Sequence, residues 1–160
     1  MSKRHSFDFR QAELLADIFK EFDVDYLFIG KSGALILGFP GTTQDVYIYP
    51  KKNPENGKNI VKALKKLGFK LDKITQQAII IGKDFVQIKS GPFDIDLVFA
   101  PDGFESYEEV KKNSVLIDKF PVAHIDDIIK SKKAANRERD ILELPLLRDF
   151  ADVLKKRRKL

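Results

Sequence analysis

One run of chain constrains the fold more than any other. Tyr26-Leu27-Phe28-Ile29 is short and apolar, and it meets Gly30-Lys31-Ser32-Gly33-Ala34 with no polar segment between. That pattern predicts a buried strand turning directly into a short helix. Thirteen residues beyond Ser32, Asp45-Val46-Tyr47-Ile48-Tyr49 reads as a second strand, stopped by Pro50. Phe93-Asp94-Ile95-Asp96-Leu97-Val98-Phe99 reads as a third. Alternate residues of a strand share a face, so Asp94 lies with Asp96, and Asp45 with Tyr47.

The remaining pattern fills in around these strands. Phe9, Leu14, Leu15, Ile18, Phe19 and Phe22 recur at helical spacing, predicting a helix over 8–21 capped by Asp8. A helix over 34–37 ends at Gly38, a polar loop covers 51–58, and a helix ends at Gly68. Residues 78–81 and 85–88 read as strands, with Gly82-Lys83-Asp84 and Ser90-Gly91-Pro92 as hairpin turns. Helices are expected over 107–112, 126–135 and 139–156, the last bent or interrupted by Pro145. Short extended pieces flank Pro121. The expected class is α+β: a small mixed sheet with helices packed on one side and a C-terminal helical segment.

At 160 residues the chain reads as one domain over 1–160, with helices and a basic tail over 126–160. No apolar run approaches the ~20 residues of a membrane span. The start Met1-Ser2-Lys3-Arg4-His5 is basic with no apolar segment after it, so no secretory leader is expected. There is no cysteine, hence no disulfide and no thiolate site, which fits a cytoplasmic protein. Lys155, Lys156, Arg157, Arg158 and Lys159 account for the whole of the +5 net charge. Such a tail is either a solvated helix end or a nucleic-acid contact. His5 and His124 lack partner spacing for a metal or a triad and are read as non-catalytic.

The order glycine turn, Asp strand, later Asp strand resembles the nucleotidyltransferase superfamily. There Gly-[Gly/Ser] precedes Asp-x-[Asp/Glu], and a later strand carries a third carboxylate. The resemblance implies binding of a nucleoside triphosphate (NTP) with Mg²⁺ or Mn²⁺. Gly30, Ser32 and Gly33 would then offer backbone N–H groups to phosphates, and Lys31 a cation. The alternative for these residues is a tight turn with no ligand. Asp45 would be the first metal ligand. Asp96 would be a ligand or the base that takes the acceptor proton. Tyr47 stands at the second acidic position, and a neutral phenol does not replace a carboxylate there. Asp45, Asp94 and Asp96 are therefore expected as a displaced metal cluster.

A finer resemblance runs through about residues 22–150. Gly38, Phe39, Thr43 and Asp45 match the Thr-x-Asp-[Ile/Val]-Asp region of AbiEii-type nucleotidyltransferases. Ile95-Asp96-Leu97-Val98 is similar to their [Ile/Val]-Asp-Leu-Leu strand. Residues 122–129 resemble a Val-x-x-Leu-x-Asp-Leu-Ile segment, and residues 131–140 a Lys-x-Ala-Ala-x-Arg-x-[Lys/Arg]-Asp helix. This implies that Lys132 and Arg137 lie near the triphosphate, with Asp140 orienting one of them. It also implies an RNA, protein or small-molecule acceptor and a cognate toxin or antitoxin as partner. Besides Tyr47, the chain departs from the family at Lys31, which replaces a small residue, and at Gly41, where an Arg is common. Three readings stay open: an active transferase, an inactive binding or regulatory module on the same fold, and an RNA-binding protein acting through its tail.

Overall fold

A computed structural model describes residues 9–43 and 45–158. Asp8, His5, the basic start and Lys159 lie outside the described residues. Six strands form one mixed sheet in the order β3-β4-β2-β1-β6-β5. These are β1 (Tyr26–Phe28), β2 (Val46–Pro50), β3 (Phe85–Ile88), β4 (Ile95–Val98), β5 (Val115–Ile117) and β6 (Phe120–Val122). β1 runs antiparallel to β2 and parallel to β6, while β2 runs parallel to β4. Two antiparallel hairpins, β3–β4 and β5–β6, complete the sheet.

Among the described residues seven helices accompany it: α1 (Phe9–Glu21), α2 (Gly30–Leu37), α3 (Pro54–Leu67), α4 (Lys73–Ile81), α5 (Tyr107–Asn113), α6 (Ile125–Ala135) and α7 (Glu138–Arg158). α1 buries Ala12, Leu15, Ala16 and Phe19 at helical spacing, with the Phe19 ring edge-on to Tyr26 of β1. Phe9 and Leu14 stay exposed, so the apolar stripe is narrower than the sequence predicts. The core runs through the central strands, where Leu27, Phe28, Ile48, Ile95 and Leu97 are fully enclosed.

Three expectations are corrected. Residues 78–81 belong to helix α4. Asp72 caps it by accepting from the Thr75 N–H at 2.7 Å, and Gly82 ends it at φ +72°. Gly82 is thus a helix stop and not a hairpin turn. The 51–58 loop is mostly helix: Asn53 caps α3, accepting from Asn56 N–H at 2.7 Å, and Pro54 fits the first turn, where no N–H is needed. α7 is not interrupted at Pro145: the helix runs through it, and the residue is exposed, so the lost backbone bond falls on the solvent side.

Candidate functional site

β1 ends where Ile29 turns the chain into α2. Gly30 takes φ +61°, a left-handed conformation that a side chain disfavours. A Cβ there would also meet the Tyr47 ring at 3.3 Å. Ser32 is wholly buried and fastens this turn to β2. Its hydroxyl donates to the Ile29 carbonyl at 3.0 Å and accepts from the Tyr47 N–H at 3.0 Å. Ile29 gives α2 no side-chain cap, and Gly30 and Lys31 of its first turn line a cleft at the positive end of the helix dipole.

That cleft is about 700 Å³. Gly30, Lys31, Asp45, Tyr47, Lys132 and Arg137, all singled out in the sequence, line it together. Ser32, Asp94 and Asp96 do not line it. Thr43, Phe85, Arg139 and Glu143 are wall residues that the sequence reading missed.

The acidic side rests on strand register. Tyr47 pairs directly with Asp96, and Asp96 with Gln87, so the three side chains form a row across β2, β4 and β3. Asp96 is 2% exposed. Its carboxyl is pushed up to about 6, first by burial and then by the Asp45 charge; a Gln87 hydrogen bond opposes the shift. Oδ1 of Asp45 and Oδ1 of Asp96 are both buried without a hydrogen-bond partner. Two such oxygens with mutually repelling charges suit a hard divalent cation. Mg²⁺ takes one or two protein carboxylates and completes its shell with water and phosphate oxygens. The expected three-carboxylate cluster does not form. Among the described residues no three His, Cys, Asp or Glu side chains come together to hold a metal. Asp94 precedes β4 and raises Asp96 less than Asp45 does, while the Tyr47 ring packs over Gly30 at the second acidic position. The phenol is held neutral, its pKa raised first by burial and then by Asp96.

The basic side comes from the junction of α6 and α7. Asn136 ends α6 in a left-handed turn at φ +52°, and α7 starts two residues later. This tight turn brings Lys132, near the end of α6, against Asp140 in the first turn of α7. Asp140 is fully buried; its Oδ2 accepts from Arg137 Nε at 2.7 Å and from the Arg137 backbone N–H at 3.2 Å. Its Oδ1 lies 3.4 Å from Lys132 Nζ. Burial alone would raise the Asp140 carboxyl, but the Arg137 hydrogen bonds and the Lys132 charge bring it below the ordinary range. Asp140 therefore orients both cations that the sequence reading placed by the triphosphate. Glu143, one turn further along α7, reaches Lys132 Nζ at 3.4 Å and Lys31 Nζ at 3.3 Å. Arg139 is exposed in the same wall and has no carboxylate partner among the described residues. His124 caps α6, its Nδ1 accepting from Asp126 N–H at 3.1 Å. Among the described residues no helix is long and apolar enough to cross a membrane.

No family model matches the chain, and no curated protein matches it significantly. Among solved structures it is similar to the lincosamide antibiotic adenylyltransferase LnuA in its lincomycin-bound crystal structure. The TM-score is 0.62 over 90% of this chain and 98% of that one, at 10% sequence identity. At that identity the likeness is one of fold: the chain is a mixed α+β protein that shares its architecture with that adenylyltransferase.

Proposed function

We propose that the cleft binds a nucleoside triphosphate with Mg²⁺ or Mn²⁺ and transfers its nucleotidyl group to an acceptor hydroxyl. The observation that carries this reading is the pair of buried, partnerless oxygens on Asp45 and Asp96, with Asp45 lining the cleft that Lys31, Lys132, Arg137 and Arg139 also line. Asp45 and Asp96 would hold the cation, which supplies charge neutralisation for the phosphates when bound. Lys132 and Arg137, fixed by Asp140, bind phosphate oxygens, and the α2 amides add donors. In the reaction the acceptor oxygen bonds to the α-phosphorus, the α–β bridging bond breaks, and pyrophosphate leaves. Where Asp96 is not a ligand of the cation, it is the base that accepts the acceptor proton. LnuA, by its name, adenylylates a lincosamide antibiotic. For this chain the acceptor class extends to RNA and protein, and the AbiEii-type and toxin–antitoxin readings rest on the motif resemblance.

Tyr47 favours a second reading, a protein that binds NTP without transferring it. Transfer of label from α-labelled NTP to RNA, protein or small-hydroxyl acceptors separates the two. The first reading predicts transfer by the wild type and a loss of at least about 100-fold in Asp45→Asn, since removing a group that stabilises developing charge is worth about 3–4 kcal/mol. Transfer by Tyr47→Asp and none by the wild type establishes the second. Unchanged transfer by Asp45→Asn contradicts the assigned site.

A further inference from the structure

Glu143 is placed as an anion inside a cation site. Its two oxygens are divided between two lysines from different elements, Oε2 on Lys31 of α2 at 3.3 Å and Oε1 on Lys132 of α6 at 3.4 Å. A phosphate group bridges two ammonium groups in the same way. Lys31 also lies in the uncapped first turn of α2, where the helix dipole favours an anion. Asp140 and Glu143, both on α7, differ in how firmly they are held. Asp140 is wholly buried and both its oxygens are held by Arg137 and Lys132. The Glu143 side chain is 21% exposed, lines the cleft and, among the described residues, pairs with the two lysines alone. One carboxylate is built in, and the other is displaceable.

We infer that Lys31 and Lys132 form an anion subsite in which Glu143 is the resident counter-ion, and that a polyphosphate ligand enters by displacing it. The inference deepens the proposed NTP reading by assigning the place where phosphates compete with the protein's own carboxylate. It also assigns a selectivity. A monophosphate exchanges one bridging anion for another with little gain. A pyrophosphate or triphosphate carries enough charge to displace Glu143 and reach Arg137 and Arg139 in the same wall. Glu143 thereby sets the affinity for phosphate chains and favours the longer ones.

The probe is inorganic pyrophosphate, titrated calorimetrically in EDTA into wild type, E143Q and the double variant E143Q/K31M. E143Q keeps the side-chain shape and removes the competing charge. It is expected to bind pyrophosphate about tenfold tighter than wild type, the scale of one like charge at this range. The double variant is expected to return toward wild-type affinity. Affinity in E143Q equal to or below wild type overturns the inference, as does a gain that survives loss of Lys31. If E143Q does not fold, Glu143→Asp takes its place: it keeps the charge but shortens the reach, and should still gain measurably. An unchanged Glu143→Asp affinity overturns the inference equally. NTP with Mg²⁺ is run beside the probe. A pyrophosphate gain with no NTP binding leaves the subsite standing and removes the nucleotide reading. NTP binding with no pyrophosphate gain does the reverse.

Discussion

Tyr47 and Asp96 are register partners, and the Asp96 charge raises the Tyr47 phenol. Asp96 faces Asp45, Asp94, Lys89 and Gln87, and only the last hydrogen-bonds it. Its folded pKa of about 6 lies above its ordinary 3.8. The native state therefore holds a proton that the unfolded chain has released, and stability falls as pH rises from about 4 to about 6. Asp96→Asn removes that slope. In EDTA it should match wild type near pH 4 and exceed it by about 2–3 kcal/mol above pH 7. Denaturant unfolding across pH measures this, and a wild type that gains on Asp96→Asn with rising pH refutes the assigned burial. Asp96 was singled out because an acid inside an apolar strand has few bland explanations, whereas Asp45, at a strand start, was singled out by the motif resemblance. Arg139 and Glu143 were not: the first looks like helix surface, and the second pairs with lysines 112 and 11 positions away.

Ser32 links two elements. Its resemblance-based role is phosphate contact, while its hydroxyl is engaged with the Ile29 carbonyl and the Tyr47 N–H. Ser32→Ala leaves that buried N–H unpaired. It should lower stability by about 1–3 kcal/mol and loosen the α2–β2 junction. Thermal unfolding of the variant checks this, and a neutral substitution contradicts the bracket role. The α2 stop at Gly38 and the α3 stop at Gly68 were readable from sequence, and both glycines adopt positive φ. α4 was not readable as a helix, because Ile79-Ile80-Ile81 favours a strand locally. Packing decides it instead. Gly57 of α3 leaves no room for a Cβ, which would fall 2.7 Å from Ile80 Cα, so the two helices meet backbone to backbone. That contact joins residues 23 positions apart, beyond the reach of local pattern.

Across the molecule, the order β4-β2-β1-β6 sets the β1–α2 turn beside the two acidic strands. The short α6–α7 connection then carries the cations over the same cleft. The α+β class and the alternation of elements were visible in the chain. The pairing of two partnerless carboxylate oxygens beside a cleft lined by four cations was not, because it depends on the register of β2 on β4. We read this arrangement as a nucleotide–metal site. The measurement that tests it most directly is thermal unfolding with each of the four NTPs, with and without Mg²⁺, in wild type and Asp45→Asn. At 100 times its Kd a ligand adds about 2.7 kcal/mol, a shift of several degrees for a chain of this size. The expected shift needs NTP and Mg²⁺ together and is lost in Asp45→Asn. No shift with any NTP, or one indifferent to Mg²⁺ and to Asp45, would contradict it.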